Sequence, residues 1–164
     1  MALFYWNLDP SEEELQARLG SNSDPDLGFR GVYSASPNGL ENYRAHAPAL
    51  KQLVESYPTT GKFRGDQLSN LNDVKQALAS NEPVLLWVTF GLTPSHKVPM
   101  TFQGQEVDLV PNEHVVTAYG YDPTGFFIYD PESINNVSGH VDTAVLAART
   151  SLFQHPALAI HPLF

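Results

Sequence analysis

Residues 113–131 constrain this chain's fold most tightly: two β-branched and aromatic runs flank Asp122-Pro123-Thr124-Gly125. Proline pre-sets φ at a turn corner, and glycine accepts the positive φ that other residues avoid. Such runs on either side of such a turn predict an antiparallel hairpin. The hairpin carries His114, which opens the first run, and Asp130, which closes the second, to the same end of a sheet. An aspartate accepting from one imidazole nitrogen fixes the tautomer and leaves the other nitrogen to take a proton. That is the relation of a catalytic base to its orienter.

Register sets a condition on this pairing. A tight turn at residues 123–124 pairs Thr117, not His114, with Asp130, and turns His114 to the opposite face. A β-bulge, or a His114 standing just before the strand proper, is required for the two side chains to meet.

The remaining elements follow from periodicity and punctuation. Asp9-Pro10-Ser11-Glu12 offers a cap, a proline at the first helical position and a glutamate three residues on, predicting a helix to about Leu19. Pro48 opens a second helix with Leu50, Leu53, Val54 and Tyr57 on one face, and Leu71, Val74 and Leu78 mark a third, capped by Asn70 or Asn72. Residues 83–90 read as a central strand buried on both faces. A small hairpin is expected around Gln103-Gly104, a helix over 142–153 and a last strand over 157–160. Helices come first and an antiparallel sheet after, an α+β arrangement in a single domain spanning residues 1–164. Residues 20–45, with Pro25, Gly28, Gly31, Pro37 and Asn38-Gly39, form a long irregular connection of the kind that lines binding sites.

Composition then removes whole classes of function. A formal net charge of −9 and a pI near 4.9 repel nucleic-acid backbones and anionic membranes, and no apolar run reaches the length of a membrane span. The absence of cysteine excludes disulfides, thiolate metal sites and a cysteine nucleophile within these residues. No phosphate loop, dinucleotide fingerprint or zinc-helix motif calls for a cofactor. His155 and His161 flank the last strand without a carboxylate cluster to make them a metal pair, and His46, His96 and His140 read as solvated loop residues. Residues 2–6 read as the last turns of a helix that begins upstream.

Taken in order, SEEELQARLG, DPDLGFRG, a proline-started helix ending at Tyr57, NEPVLLWVTF, EHVVTAYGYD and FFIYDP resemble the papain-like cysteine peptidases related to bacteriocin-leader-processing peptidases. The resemblance (peptidase clan CA, family thirty-nine-like) covers nearly the whole chain. Its most specific part is the pairing of NEPVLLWV with HVVTAYGYD and FFIYDP at this distance. It implies a papain-like fold, His114 as general base, Asp130 as its orienter, and cleavage of peptide or isopeptide bonds through a thioester. Asp24, Gly28, Phe29, Gly31 and Trp87 are the expected cleft residues. A peptide or protein is the implied partner, and the resemblance is compatible with an exported fate while leaving the compartment open. The family's cysteine and oxyanion-hole glutamine would both lie before Met1. The chain as written is therefore expected to be an inactive fragment or a pseudoenzyme, self-associating through apolar surface left bare near its N-terminus. The alternative reading is a non-catalytic peptide-binding or structural domain on the same fold.

Overall fold

The computed structural model describes residues 2–32, 40–41, 43–58, 62–132 and 138–163; Pro37 and the Asn38-Gly39 turn lie outside them. In chain order the elements are α1 (Ala2–Tyr5), α2 (Glu12–Leu19), α3 (Ala47–Ser56), β1 (Lys62–Leu68), α4 (Leu71–Ala79), β2 (Val84–Thr89), β3 (Val98–Phe102), β4 (Gln105–Leu109), β5 (Glu113–Tyr121), β6 (Gly125–Tyr129), β7 (Gly139–Asp142), α5 (Thr143–Thr150) and β8 (Ala157–Leu163).

Six strands form one antiparallel sheet in the order β1-β8-β2-β5-β6-β7, while β3 and β4 make a separate hairpin. The run VLLWVT sits inside the sheet between β8 and β5, which is why it is apolar on both faces. One face presents Leu86, Val88, Val116, Ala118 and Ile128 to Val74 and Ala77 of α4 and Leu146 of α5. The other presents Trp87, Leu158 and Ile160 to Ala2 and Leu3 of α1 and to Ala47 and Val54 of α3. The fold is α+β as expected, but helices cover both faces of the sheet.

Local chemistry explains most boundaries. The α2 cap is Ser11, not Asp9: its hydroxyl accepts from the backbone N–H of Glu14, 3.1 Å away. Asn70 caps α4 by accepting from the N–H groups of Asn72 and Asp73. The β3–β4 turn puts Gln103 at φ 50° and Gly104 at φ 84°, the double left-handed conformation that suits a two-residue hairpin. In the β5–β6 turn Asp122 accepts from the Thr124 hydroxyl and from the N–H groups of Thr124 and Gly125. The Thr124 hydroxyl first, then the Thr124 N–H and the His140 ring, hold this carboxyl well below its usual range.

Two strands are absent from the sequence reading. β1 is an edge strand whose central residue, Gly65, lets α3 approach: a Cβ there would stand 3.2 Å from Leu158 and 3.3 Å from the Lys51 Cα. β7 runs up to Asp142, the residue at which the sequence predicts a helix to start, so α5 begins one residue later at Thr143 and ends at Thr150, short of 153.

Candidate active site

β5 begins at Glu113, held between β2 on one side and β6 on the other. Its second residue, His114, pairs with Val88 of β2. Along β6, Tyr121 faces Phe126 and Gly120 faces Phe127, but Ala118 faces Ile128 and Thr117 faces Tyr129. Tyr119 is therefore an extra residue, a β-bulge. It moves the register by one, so that the continuation of β6 sets Asp130 level with Val116 and on the side of the sheet that His114 shares. The bulge that the sequence requires for a His114–Asp130 contact is present.

The two side chains meet. His114 Nε2 lies 2.6 Å from Asp130 Oδ1, with the imidazole mostly buried and the carboxylate wholly so. A carboxylate only accepts, so Nε2 carries the hydrogen and the neutral ring keeps its lone pair on Nδ1. Nδ1 makes no hydrogen bond among the described residues. Phe90 stands edge-on to the imidazole at 5.3 Å between ring centres. Asp130 is held in turn: its Oδ1 accepts from the Glu132 N–H at 2.9 Å, and its own N–H donates to the Ser138 hydroxyl at 2.9 Å. Its Oδ2 is buried without a hydrogen-bond partner among the described residues.

His114 lines a cleft of about 850 Å³. α2 contributes Leu15 and Leu19, α3 contributes Leu50 and Leu53, and the loop before α3 contributes Phe29 and Arg44. Glu113 and Val115 flank the histidine on the same strand and also line it. Glu113 as a residue is half-buried, but its carboxyl group is packed round by protein. This desolvation pushes its pKa well above the usual carboxylate range, against the opposing pull of the Arg44 charge and the Trp87 indole.

The expected cleft residues divide. Phe29 lines the cleft, whereas Asp24, Gly28, Gly31 and Trp87 do not. Trp87 is fully buried in the core, its indole N–H donating to the Ala45 carbonyl at 3.2 Å. Asp24 is buried in an Asx turn, accepting from the Asp26 N–H. Gly28 packs against Asn22, and Gly31 takes φ 109° where the chain turns. They shape the wall rather than face it.

The same loop corrects the reading of His46, which is buried rather than solvated. Its Nδ1 lies 2.6 Å from Asp26 Oδ1 and its Nε2 3.2 Å from the Tyr43 hydroxyl, which accepts from the Val110 N–H at 2.8 Å. This chain of bonds ties the cleft wall to the segment leading into β5. Burial, chiefly, with the nearby Glu113, Asp26 and Asp108 charges, keeps the Tyr43 phenol far above its usual range and so protonated. No sequence signal links residues 26, 43, 46 and 110. Among the described residues no group of three or more His, Asp or Glu side chains forms a metal site.

The sequence model described as the Peptidase_C39 like family matches residues 1–149. Among solved structures the chain is similar to a protein from Bacillus anthracis described as a C39-like peptidase, with a TM-score of 0.78 at 18% identity. That match covers 98% of this chain and 84% of the other. At this identity it establishes the papain-like fold alone. No curated protein matches the chain significantly.

Proposed function

The chain belongs to the peptidase C39-like family, and from that premise we propose that His114 and Asp130 are the base and orienter of a thiol-dependent acyl transfer at peptide bonds. The observation that carries this reading is the 2.6 Å contact between Nε2 and Oδ1 beside an open cleft. Nδ1 takes the proton of an attacking thiol while Asp130 stabilises the imidazolium that results. The imidazolium then returns the proton to the leaving amine, and water, deprotonated by the same nitrogen, releases the acyl group from sulfur. These 164 residues contain no cysteine, so turnover requires a thiol from outside them, and the chain by itself is inactive.

A small thiol tests the pair directly. With an activated acyl ester and added cysteamine, the chain is expected to accelerate acyl transfer to sulfur about 10²-fold over His114→Ala, the lower end for general-base catalysis. Equal rates in the two proteins would overturn the assignment.

A second reading rests on the size and lining of the cleft, where Leu15, Leu19, Phe29, Leu50, Leu53, Phe90 and Val115 stand among the polar residues. In it the domain holds apolar peptide segments without cutting them. Peptide affinity unchanged by His114→Ala, together with no thiol-dependent transfer, would favour this binder over the catalyst.

A further inference from the structure

We infer that a second, smaller pocket between α1, the end of α4 and the bulged part of β5 binds the side chain of a lysine or arginine presented by a peptide or protein. The pocket holds about 200 Å³ and is lined by Tyr5, Leu78, Glu82, Thr117, Tyr119 and Tyr129 among others. It shares no residue with the cleft around His114. Its volume is below the roughly 300–1,000 Å³ of small-molecule sites, which suits a single side chain.

Three features define the guest. Tyr5, Tyr119 and Tyr129 are 55%, 61% and 51% exposed, so three aromatic rings stand at the pocket instead of packing into the core. Ring faces attract cations. The Thr117 hydroxyl is buried without a hydrogen-bond partner, in a residue only 7% exposed. Buried hydroxyls are rarely left so, and Thr117 is one of the residues that line the pocket. The Glu82 carboxylate makes no hydrogen bond among the described residues, and the one basic group within reach is His161, whose Nδ1 stands 3.6 Å from Oε2. An oxygen-bearing neutral guest brings Glu82 no partner beyond the His161 ring, and a quaternary ammonium has no N–H for the hydroxyl or the carboxylate. An ammonium or guanidinium satisfies the rings, the hydroxyl and the carboxylate together. The chain's net charge of −9 favours the approach of such a partner. Tyr119 is the bulge residue, so the irregularity that aligns His114 with Asp130 also turns a tyrosine outward here.

The test is an amide NMR titration of the full chain with acetyl-Ala-Arg-Ala-amide, its lysine counterpart and the norleucine peptide as neutral control. The basic peptides are expected to shift Asn81, Thr117 and Tyr119 and to bind at least tenfold more tightly than the norleucine peptide. Glu82→Gln, a conservative change at a partly exposed position, is expected to abolish that preference. The exposed Tyr119→Ala is expected to weaken binding at least threefold, with thermal melts confirming that both variants fold. Equal binding of the norleucine peptide, an undiminished preference in Glu82→Gln, or shifts confined to the cleft at Glu113 and Val115 would each overturn the inference. His114→Ala is expected to leave the titration unchanged, which separates this pocket from the catalytic reading.

Discussion

Asp130 reaches His114 across a register that one extra residue has corrected: Nε2 and Oδ1 stand 2.6 Å apart because Tyr119 is bulged out of β5. Without the bulge the two side chains would lie on opposite faces of the sheet. The pair is thus a product of the strand's irregularity as much as of its composition.

If the two residues act as one unit, their losses do not add. Asp130→Ala is expected to lower thiol-dependent acyl transfer by about 10²-fold or more, and the Asp130→Ala, His114→Ala double variant to be no slower than His114→Ala alone. Rates from the four proteins of this cycle decide it; multiplicative losses would mean that Asp130 acts elsewhere.

Glu113 places a pH dependence on stability. Its folded pKa is raised above the ordinary value near 4.5, chiefly by desolvation. The protonated acid is therefore favoured by folding: this contribution is fully present below the unfolded value and is lost as pH rises through the folded one. Glu113→Gln, which keeps the carbonyl oxygen near the Trp87 indole, is expected to stabilise the protein at neutral pH by on the order of 1 kcal/mol, about 2–4 °C in Tm. The gain is expected to vanish near pH 4. Thermal melts of both proteins across that range measure it, and a gain independent of pH would contradict the desolvated carboxyl.

Tyr43→Phe removes one oxygen from the wall of the cleft. The Val110 N–H loses its acceptor and the His46 Nε2 its donor, both in buried surroundings. The expected cost is about 1–3 kcal/mol. Amide exchange at Arg44 and Val110 is expected to quicken ahead of the central strand β2; uniform quickening across the sheet would argue that the bonds do not locally pin this wall.

The α2 cap gives a direct comparison between two neighbouring positions. Ser11→Ala is expected to cost about 1 kcal/mol, whereas Asp9→Ala leaves stability within about 0.5 kcal/mol. Denaturant melts of the two variants suffice, and a larger loss at Asp9 would reverse the assignment of the cap.

Local chemistry was legible wherever neighbours in sequence satisfy one another. The turn at residues 122–125, the Gln103-Gly104 hairpin, the apolar face of α3, the Asn70 cap and the doubly buried β2 all follow from side chains acting within a few residues. His114 and Asp130 could be singled out because each ends a run of strand-forming residues, and register logic even named the bulge that their contact needs. The sequence by itself thus determined the hairpin, the central strand and the two ends of the candidate pair.

Where partners are distant, only the tertiary structure decided. β1 mixes charges with a glycine and becomes a strand because β8 supplies its hydrogen bonds and α3 covers Gly65. His46 looked like a loop residue until Asp26 and Tyr43 closed on it. Trp87 and Glu113 share one face of the sheet, since Trp87 pairs with Val115 and Thr89 with Glu113, and only the packing of α1 and α3 over that face sends the first to the core and the second to the cleft. Propensity and capping energies act over single turns, whereas burial and strand pairing join residues far apart in the chain. The position of the bulge, the depth of a carboxyl group and the shape of a cleft belong to that second kind of interaction.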